Sequence, residues 1–229
     1  MKLAIMQPYF FPYIGYFQLI KAVDTFVIYD DVNYIKNGWI NRNSILINNK
    51  KSWVTINLKD ASSFKLINQI EIGNNKDKVL KCINFSYAKA PFFKEIFPFI
   101  EDIINCNKVN LAEFVCNSIK AIAEYLDLKT EFLISSDIEI NNKLKGQKKV
   151  IDICKKIGAQ EYINAIGGVQ LYSKEEFHAN GIALNFLESK DIEYEQFNHK
   201  FVPSLSMIDV LMFNPREKVK EMLKEYNLI

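Results

Sequence analysis

Residues 3 to 31 decide the fold. They read Leu3-Ala4-Ile5-Met6, then Gln7-Pro8-Tyr9-Phe10-Phe11-Pro12-Tyr13-Ile14-Gly15-Tyr16-Phe17-Gln18-Leu19-Ile20, and later Thr25-Phe26-Val27-Ile28-Tyr29-Asp30-Asp31. The first four residues are a short apolar run of the kind that forms a buried strand. A loop stiffened by prolines and aromatic rings follows. From Tyr13 to Val23, Ile14, Phe17 and Leu19-Ile20 recur at roughly helical spacing. Thr25 to Tyr29 is a second β-branched and aromatic run. Strand, loop, helix and strand in that order make a βαβ unit, which favours a parallel sheet.

Further along, Ser44–Ile47 and Trp53–Leu58 are strand-like runs joined by Asn48-Asn49-Lys50-Lys51, a hairpin. Residues 59 to 69 read as a mobile surface loop. The middle is helical. Lys76 to Ala90 is stopped by Pro91, a short helix is divided from the next by Pro98, and Asn110 with Glu113 opens Leu111 to Leu126 as a capping box. Alternation then returns. Strands are expected at Phe132–Ser135, Tyr162–Ala165 and Ala183–Leu187. Helices are expected at Lys148–Ile157, ended by Gly158, and after Ser173 with Glu176. Asn214-Pro215-Arg216-Glu217 predicts a last helix, with Asn214 as N-cap, running to about Tyr226. With no repeat and no low-complexity linker, residues 1–229 are expected to form a single α/β domain. Its open parallel sheet is flanked by helices and carries an inserted β-hairpin and a helical middle segment.

Apolar residues make up 49% of the 229, enough for a sizeable core, and the net charge of +2 argues against a dedicated nucleic-acid protein. Gln7, Pro8 and Pro12 interrupt the first apolar run before a signal peptide can form, and no run of 18 apolar residues exists. A cytoplasmic protein is expected, with its four dispersed cysteines reduced. Two histidines are too few for a histidine-rich zinc site, and no metal site is assigned.

Ligands of open α/β sheets bind at the carboxyl ends of the strands, where the loop from Gln7 to Tyr13 falls. Tyr9 and Phe10 offer faces for a base. Gly15 allows close approach at the start of a helix whose N–H groups suit an anion. After the second strand, Asp30 and Asp31 are candidate bases, of which one points inward if the strand persists. In the same loop Trp39 offers a stacking face, Lys36 a point charge, and Asn41 and Asn43 polar groups. Arg42, one of two arginines in the chain, offers a bidentate grip on phosphate. Secondary candidates are Gly168 in a glycine pair after a strand, Asp209 at a helix start, and His199 as a base. The lysines at 143, 145, 148 and 149 read as a solvated face.

Pro12-Tyr13-Ile14-Gly15-Tyr16, followed by Leu19-Ile20, resembles the HxGH signature of nucleotidylyltransferases and class I aminoacyl-tRNA synthetases, with Tyr13 and Tyr16 in place of both histidines. That resemblance implies a Rossmann-like, nucleotidylyltransferase-like sheet and a nucleotide-shaped pocket. Tyrosine carries no positive charge at neutral pH, so the departure weakens nucleotidyl transfer as the chemistry. A longer match is to the WbqC-like family. It rests on Gln7 to Phe17, Asp24, Tyr29-Asp30-Asp31, Lys36 to Asn43, Gly167-Gly168 with Tyr172, and Pro203-Ser204-Leu205-Ser206-Met207-Ile208-Asp209.

The family resemblance implies O-antigen or other surface-polysaccharide biosynthesis. The activity it suggests is transfer of glycine or another amino acid onto the amino group of a nucleotide-linked sugar. The implied partners are that sugar and an amino-acid donor, either an adenylate made from ATP or an aminoacyl-tRNA. The sequence leaves the donor, the cofactor and the oligomeric state open. Two alternatives stand beside this reading: a nucleotidylyltransferase-like enzyme with altered catalytic groups, and a non-catalytic nucleotide-sugar-binding subunit.

Overall fold

A computed structural model describes residues 1–139, 143–197 and 200–229. Strand β1 (Lys2–Met6), helix α1 (Ile14–Lys21) and strand β2 (Thr25–Ile28) form the expected βαβ unit, with Leu3 beside Thr25 and Met6 beside Ile28 in parallel register. The chain then leaves the sheet. It forms the antiparallel hairpin β3 (Arg42–Ile47) and β4 (Lys50–Thr55), then the ribbon β5 (Leu58–Lys59) and β6 (Glu71–Ile72). Helices α2 (Lys76–Tyr87), α3 (Phe93–Asn105) and α4 (Leu111–Tyr125) follow. It re-enters the sheet as β7 (Glu131–Ile134), then α5 (Gly146–Ile157), β8 (Glu161–Ala165), α6 (Lys174–Ala179) and β9 (Ala183–Ser189). Helices α7 (Met207–Phe213) and α8 (Arg216–Met222) lead to a last strand, β10 (Tyr226–Leu228).

The six-stranded sheet has the order β10-β9-β8-β1-β2-β7 and is parallel except for β10, as a Rossmann-like fold requires. Its central strands are apolar on both faces because both faces are covered. Leu3, Ile5 and Val27 enter one core with Val150, Ile153 and Cys154 of α5 and Phe177 of α6. Ala4, Phe26 and Ile28 enter the larger core with residues of α1, α4 and α7. The chain runs outward from β1 to β2 and β7, then returns to the other side of β1 through α5. The winding direction therefore reverses between β1 and β8, the topological switch point where such sheets bind ligands.

Four local expectations differ from the structure. Helix α3 runs unbroken through Pro98. The carbonyl left without a donor belongs to Lys94, and both residues are exposed, so water satisfies it. Residues 59–69 are built into the ribbon and a 3₁₀ turn at Ile67–Gln69, with Ile67 fully buried. The final helix stops at Met222, and Tyr226–Leu228 joins the sheet edge with Leu228 opposite Leu187. Gln18 of α1 explains the stop. Its Nε2 donates to the carbonyls of Met222 (3.0 Å) and Glu225 (2.9 Å), capturing the acceptors a continuing helix would use. Pro215 rather than Asn214 is the N-cap of α8, because the Asn214 amide donates back to the Val210 carbonyl at 2.9 Å.

Other signals hold. Asn110 and Ser173 accept the N–H groups of Glu113 and Glu176, and Gly158 ends α5 at φ 76°. The four cysteines are free thiols. Among the described residues no helix is long and apolar enough to cross a membrane.

Candidate functional site

The aromatic loop after β1 is locked from beneath. Phe10 and Phe11 are fully buried and meet edge to face at 4.9 Å, and Phe10 stacks on Phe114 of α4 at 6.0 Å. Phe10 is therefore a core anchor and presents no face to a ligand. Phe11 holds a left-handed backbone at φ 42°. Its carbonyl accepts from Asn43 Nδ2 (2.7 Å) and Ser206 Oγ (2.7 Å), which fixes that conformation. Asn43 Nδ2 also donates to the Phe10 carbonyl at 3.2 Å, and Met207 N donates to the Pro12 carbonyl at 2.8 Å. The Pro203–Asp209 segment thus clamps the loop. Tyr16 is buried, and its hydroxyl donates to the Gln7 carbonyl at 3.0 Å, closing the loop on the first turn of α1.

Above this locked layer a cleft of about 670 Å³ opens at the switch point. One wall is Gln7, Tyr9, Tyr13, Gly15 and Tyr16. The other is Asn164, Ala165, Ile166, Gly167, Gly168 and Tyr172, at the carboxyl end of β8. Tyr29 extends β2 into it, and Ile35, Trp39, Asn43, Lys51 and Ser204 complete it. No side chain caps α1; Tyr16 N turns back to the Tyr13 carbonyl (3.1 Å), and the Gly15 N–H before it suits a ligand. Gly15 lets the Tyr13 ring lie against the start of the helix, since a Cβ at this position would stand 2.5 Å from the far end of that ring. At Gly168 a Cβ would stand 3.0 Å from Asn164, whose Nδ2 donates to Tyr162 Oη (3.0 Å) and whose Oδ1 accepts from Ala165 N (2.7 Å).

Burial pushes the hydroxyls of Tyr9, Tyr13, Tyr16, Tyr29 and Tyr172 above the ordinary phenol range. They stay protonated at neutral pH and act as hydrogen-bond groups, not as bases. Among the described residues, Lys51 is the one charged side chain lining the cleft, and no carboxylate lines it.

The acidic pair divides at the end of β2. Asp30 is 3% exposed and turns away from the aromatic cleft. Its Oδ1 accepts from Ser135 Oγ (2.9 Å) and Ser136 N (3.0 Å), and its Oδ2 from Ser136 Oγ (2.8 Å) and Asn68 Nδ2 (3.0 Å). It floors a second cleft of about 460 Å³, bounded by Asn68, Asn110, Asn117, Lys120 and Asp137. Asp31 accepts from Lys149 Nζ at 2.6 Å and bonds Ser135 Oγ, with the ion pair mostly buried. The Lys149 ammonium stands 4.9 Å from the centre of the Tyr29 ring.

Of the remaining expected site residues, Lys36, Asn41, Arg42 and Asp209 fall outside the aromatic cleft. The Arg42 guanidinium donates to the carbonyls of Gly38 (3.0 Å) and Asn37 and lies 4.3 Å from the centre of Trp53, so it holds a turn rather than facing the cleft. Lys36 is exposed. Asn41 is buried, accepting from Tyr34 Oη and donating to the Ile56 carbonyl. Asp209 is fully buried, where its carboxylate accepts from Tyr87 Oη (2.7 Å), Tyr194 Oη (2.7 Å) and Gln196 Nε2 (2.6 Å). His199 lies outside the described residues.

Sequence reasoning placed Lys149 on a solvated face, and the structure buries it. Its spacing of four from Ile153 put both on one face of α5, a signal present in the sequence. Tyr29 shares a strand face with Val27, which also was legible. Lys51 reaches the cleft only through the docking of the hairpin, which no local pattern announces.

Comparison with known proteins gives one family and one relative. The WbqC-like protein family matches residues 7–221. The chain is 28% identical over 228 residues to an uncharacterized protein of Mycobacterium tuberculosis, Rv1507c, with 97% of each chain covered. No solved structure matches.

Proposed function

This chain belongs to the WbqC-like protein family, and we propose that it is a cytoplasmic transferase that places an aminoacyl group, such as glycyl, on the amino group of a nucleotide-linked sugar destined for surface polysaccharide. The observation that carries the reading is the cleft at the β1/β8 switch point, with a helix start that no side chain caps, Gly15 beneath the Tyr13 ring, and a wall of tyrosines and Trp39. Trp39 and Tyr13 supply faces for the base. The first N–H groups of α1 and the Lys51 ammonium suit a diphosphate. Tyrosine hydroxyls and the amide of Gln7 suit the sugar.

With no carboxylate lining this cleft, the step is direct aminolysis. The sugar amine attacks the carbonyl carbon of an activated aminoacyl donor, either an aminoacyl adenylate made from ATP or an aminoacyl-tRNA. A C–N bond forms, the donor's C–O bond breaks, and the leaving oxygen takes the proton the amine gives up. Asp30 stays outside this step, since both its oxygens are held by protein donors.

Incubation with nucleotide-linked amino sugars, glycine and ATP, or with charged tRNA, should add one aminoacyl unit to the sugar by mass spectrometry. Release of pyrophosphate from a nucleoside triphosphate and a sugar phosphate would instead identify a nucleotidylyltransferase. Clear sugar binding without product under any donor would sink the transferase reading. The second reading, a nucleotide-sugar-binding subunit, is favoured by one observation: among the described residues, neither a carboxylate nor a histidine lines the cleft.

A further inference from the structure

The insertion that follows β2 differs in charge from the rest of the chain. Between residues 33 and 66 stand six basic side chains and one acidic, a net charge of +5, while the whole chain carries +2 and the remainder is therefore net −3. Lys36, Lys50, Lys51 and Lys65 form no salt bridge among the described residues.

The same segment holds both tryptophans of the chain, and both are exposed, Trp39 at 42% and Trp53 at 48%. Their rings sit 4.8 Å apart, and the Arg42 guanidinium over Trp53 fixes them in place. Ile35 is 52% exposed, and Phe64 projects at 92%. Phe64 stands on ordered backbone: Asn33 Nδ2 donates to the Ser63 carbonyl at 2.8 Å and Tyr34 N to the Lys65 carbonyl at 2.9 Å. The hairpin tip is a tight turn with Asn48 and Asn49 at φ 50° and 60°, and Lys50 and Lys51 follow it at the exposed start of β4. Lys51 and Trp53 are two apart on β4 and share a face.

Water-exposed aromatic and aliphatic groups cost free energy unless something covers them. Exposed tryptophan, phenylalanine and lysine in one segment suit the boundary of a bilayer, where rings sit at headgroup level and ammonium groups meet lipid phosphates. We propose that the 33–66 segment docks peripherally on an anionic lipid bilayer, which brings Ile35, Trp39 and Lys51, part of the lining of the aromatic cleft, to the membrane side. Charge complementarity selects this occupant. A second copy of the chain would bring one +5 face against another. Nucleic acid is the weaker fit, because the free cations are lysines rather than arginines and aliphatic Ile35 offers no stacking plane. The inference rests on this surface alone and not on the proposed reaction.

The test uses the full chain with vesicles of phosphatidylcholine, with and without phosphatidylglycerol. Both tryptophans lie in the patch, so their emission reports directly on docking. The expected result is co-sedimentation and a blue-shifted emission with the anionic vesicles only, weakened by high salt. Lys50→Glu and Phe64→Ser stand outside the cleft lining. Each should weaken partitioning by about fivefold or more while the melting temperature stays unchanged. Absence of sedimentation with folded protein would overturn the proposal. So would sedimentation indifferent to both substitutions, polyuridylate binding in place of vesicles, or self-association through this face.

Discussion

Gly15 separates a binding role from a packing role at a single atom. A methyl group there would meet the Tyr13 ring at 2.5 Å, but Tyr13 is 39% exposed and has room to swing aside. Alanine also favours the helix over glycine by about 1 kcal/mol. Gly15→Ala is therefore expected to leave the melting temperature unchanged or higher, while affinity for a nucleotide-linked sugar falls about tenfold by calorimetry, equivalent to ~1.4 kcal/mol. A lower melting temperature with intact affinity would make Gly15 a packing residue only.

Asp209 poses a different test. Desolvation by burial raises its carboxyl above the usual range, against three hydrogen-bond donors that favour the ion. The folded state thus binds this proton more tightly than the unfolded chain does. Its contribution to stability is full below the unfolded pKa, about 4, and is lost as pH rises through the folded one. Urea unfolding of wild type and Asp209→Asn across this range should show the wild type losing ground to the variant as pH rises. A constant difference between the two would contradict the assignment.

At the scale of elements, two ties hold the site. The Lys149–Asp31 pair joins the first turns of α5 to the end of β2 with side chains 10% and 13% exposed. Removing one partner strands a buried charge, so Lys149→Met is expected to cost about 3–5 kcal/mol in denaturant midpoint analysis. Adding Asp31→Leu should restore most of that loss. Asn43 ties the hairpin to the aromatic loop through the Phe10 and Phe11 carbonyls, each left short of a donor in Asn43→Ala. That variant should lose about 2 kcal/mol, and proteolysis should open the chain between residues 7 and 13, which it spares in the wild type.

These ties also mark the limit of what the sequence discloses. The βαβ unit, the caps at Asn110 and Ser173 and the stop at Gly158 depend on neighbours within a few residues, and local spacing reveals them. The end of α8 depends on Gln18, 204 residues away from Met222, and the burial of Asp209 on Tyr87, 122 residues away. Local spacing carries no trace of either. Asp30 and Arg42 are the instructive pair. Their residue types announced chemistry, yet tertiary partners use them to hold backbone. The tyrosines of the loop were legible as a site because the fold places any residue after β1 at the carboxyl edge.

For the whole molecule, the sheet sorts neighbouring side chains into separate compartments. Strand alternation sends Tyr29 toward the aromatic cleft and Asp30 toward the second cleft, so two adjacent residues serve different spaces. Substitutions at the two clefts should therefore have opposite signatures. Asp30→Ala leaves the donors of Ser136 and Asn68 without their acceptor at the β2–β7 edge, costing about 3 kcal/mol. Because Asp30 does not line the aromatic cleft, affinity for a nucleotide-linked sugar should hold within about twofold at temperatures where the variant is folded. Trp39→Ala removes an exposed ring from the cleft wall and should change stability by less than about 0.5 kcal/mol, while affinity drops about tenfold. Paired calorimetry and thermal melts of both variants read the two quantities separately. If Asp30→Ala abolished binding while Trp39→Ala spared it, the ligand would occupy the second cleft, and the anion-receiving start of α1 would have to be explained by something other than the diphosphate.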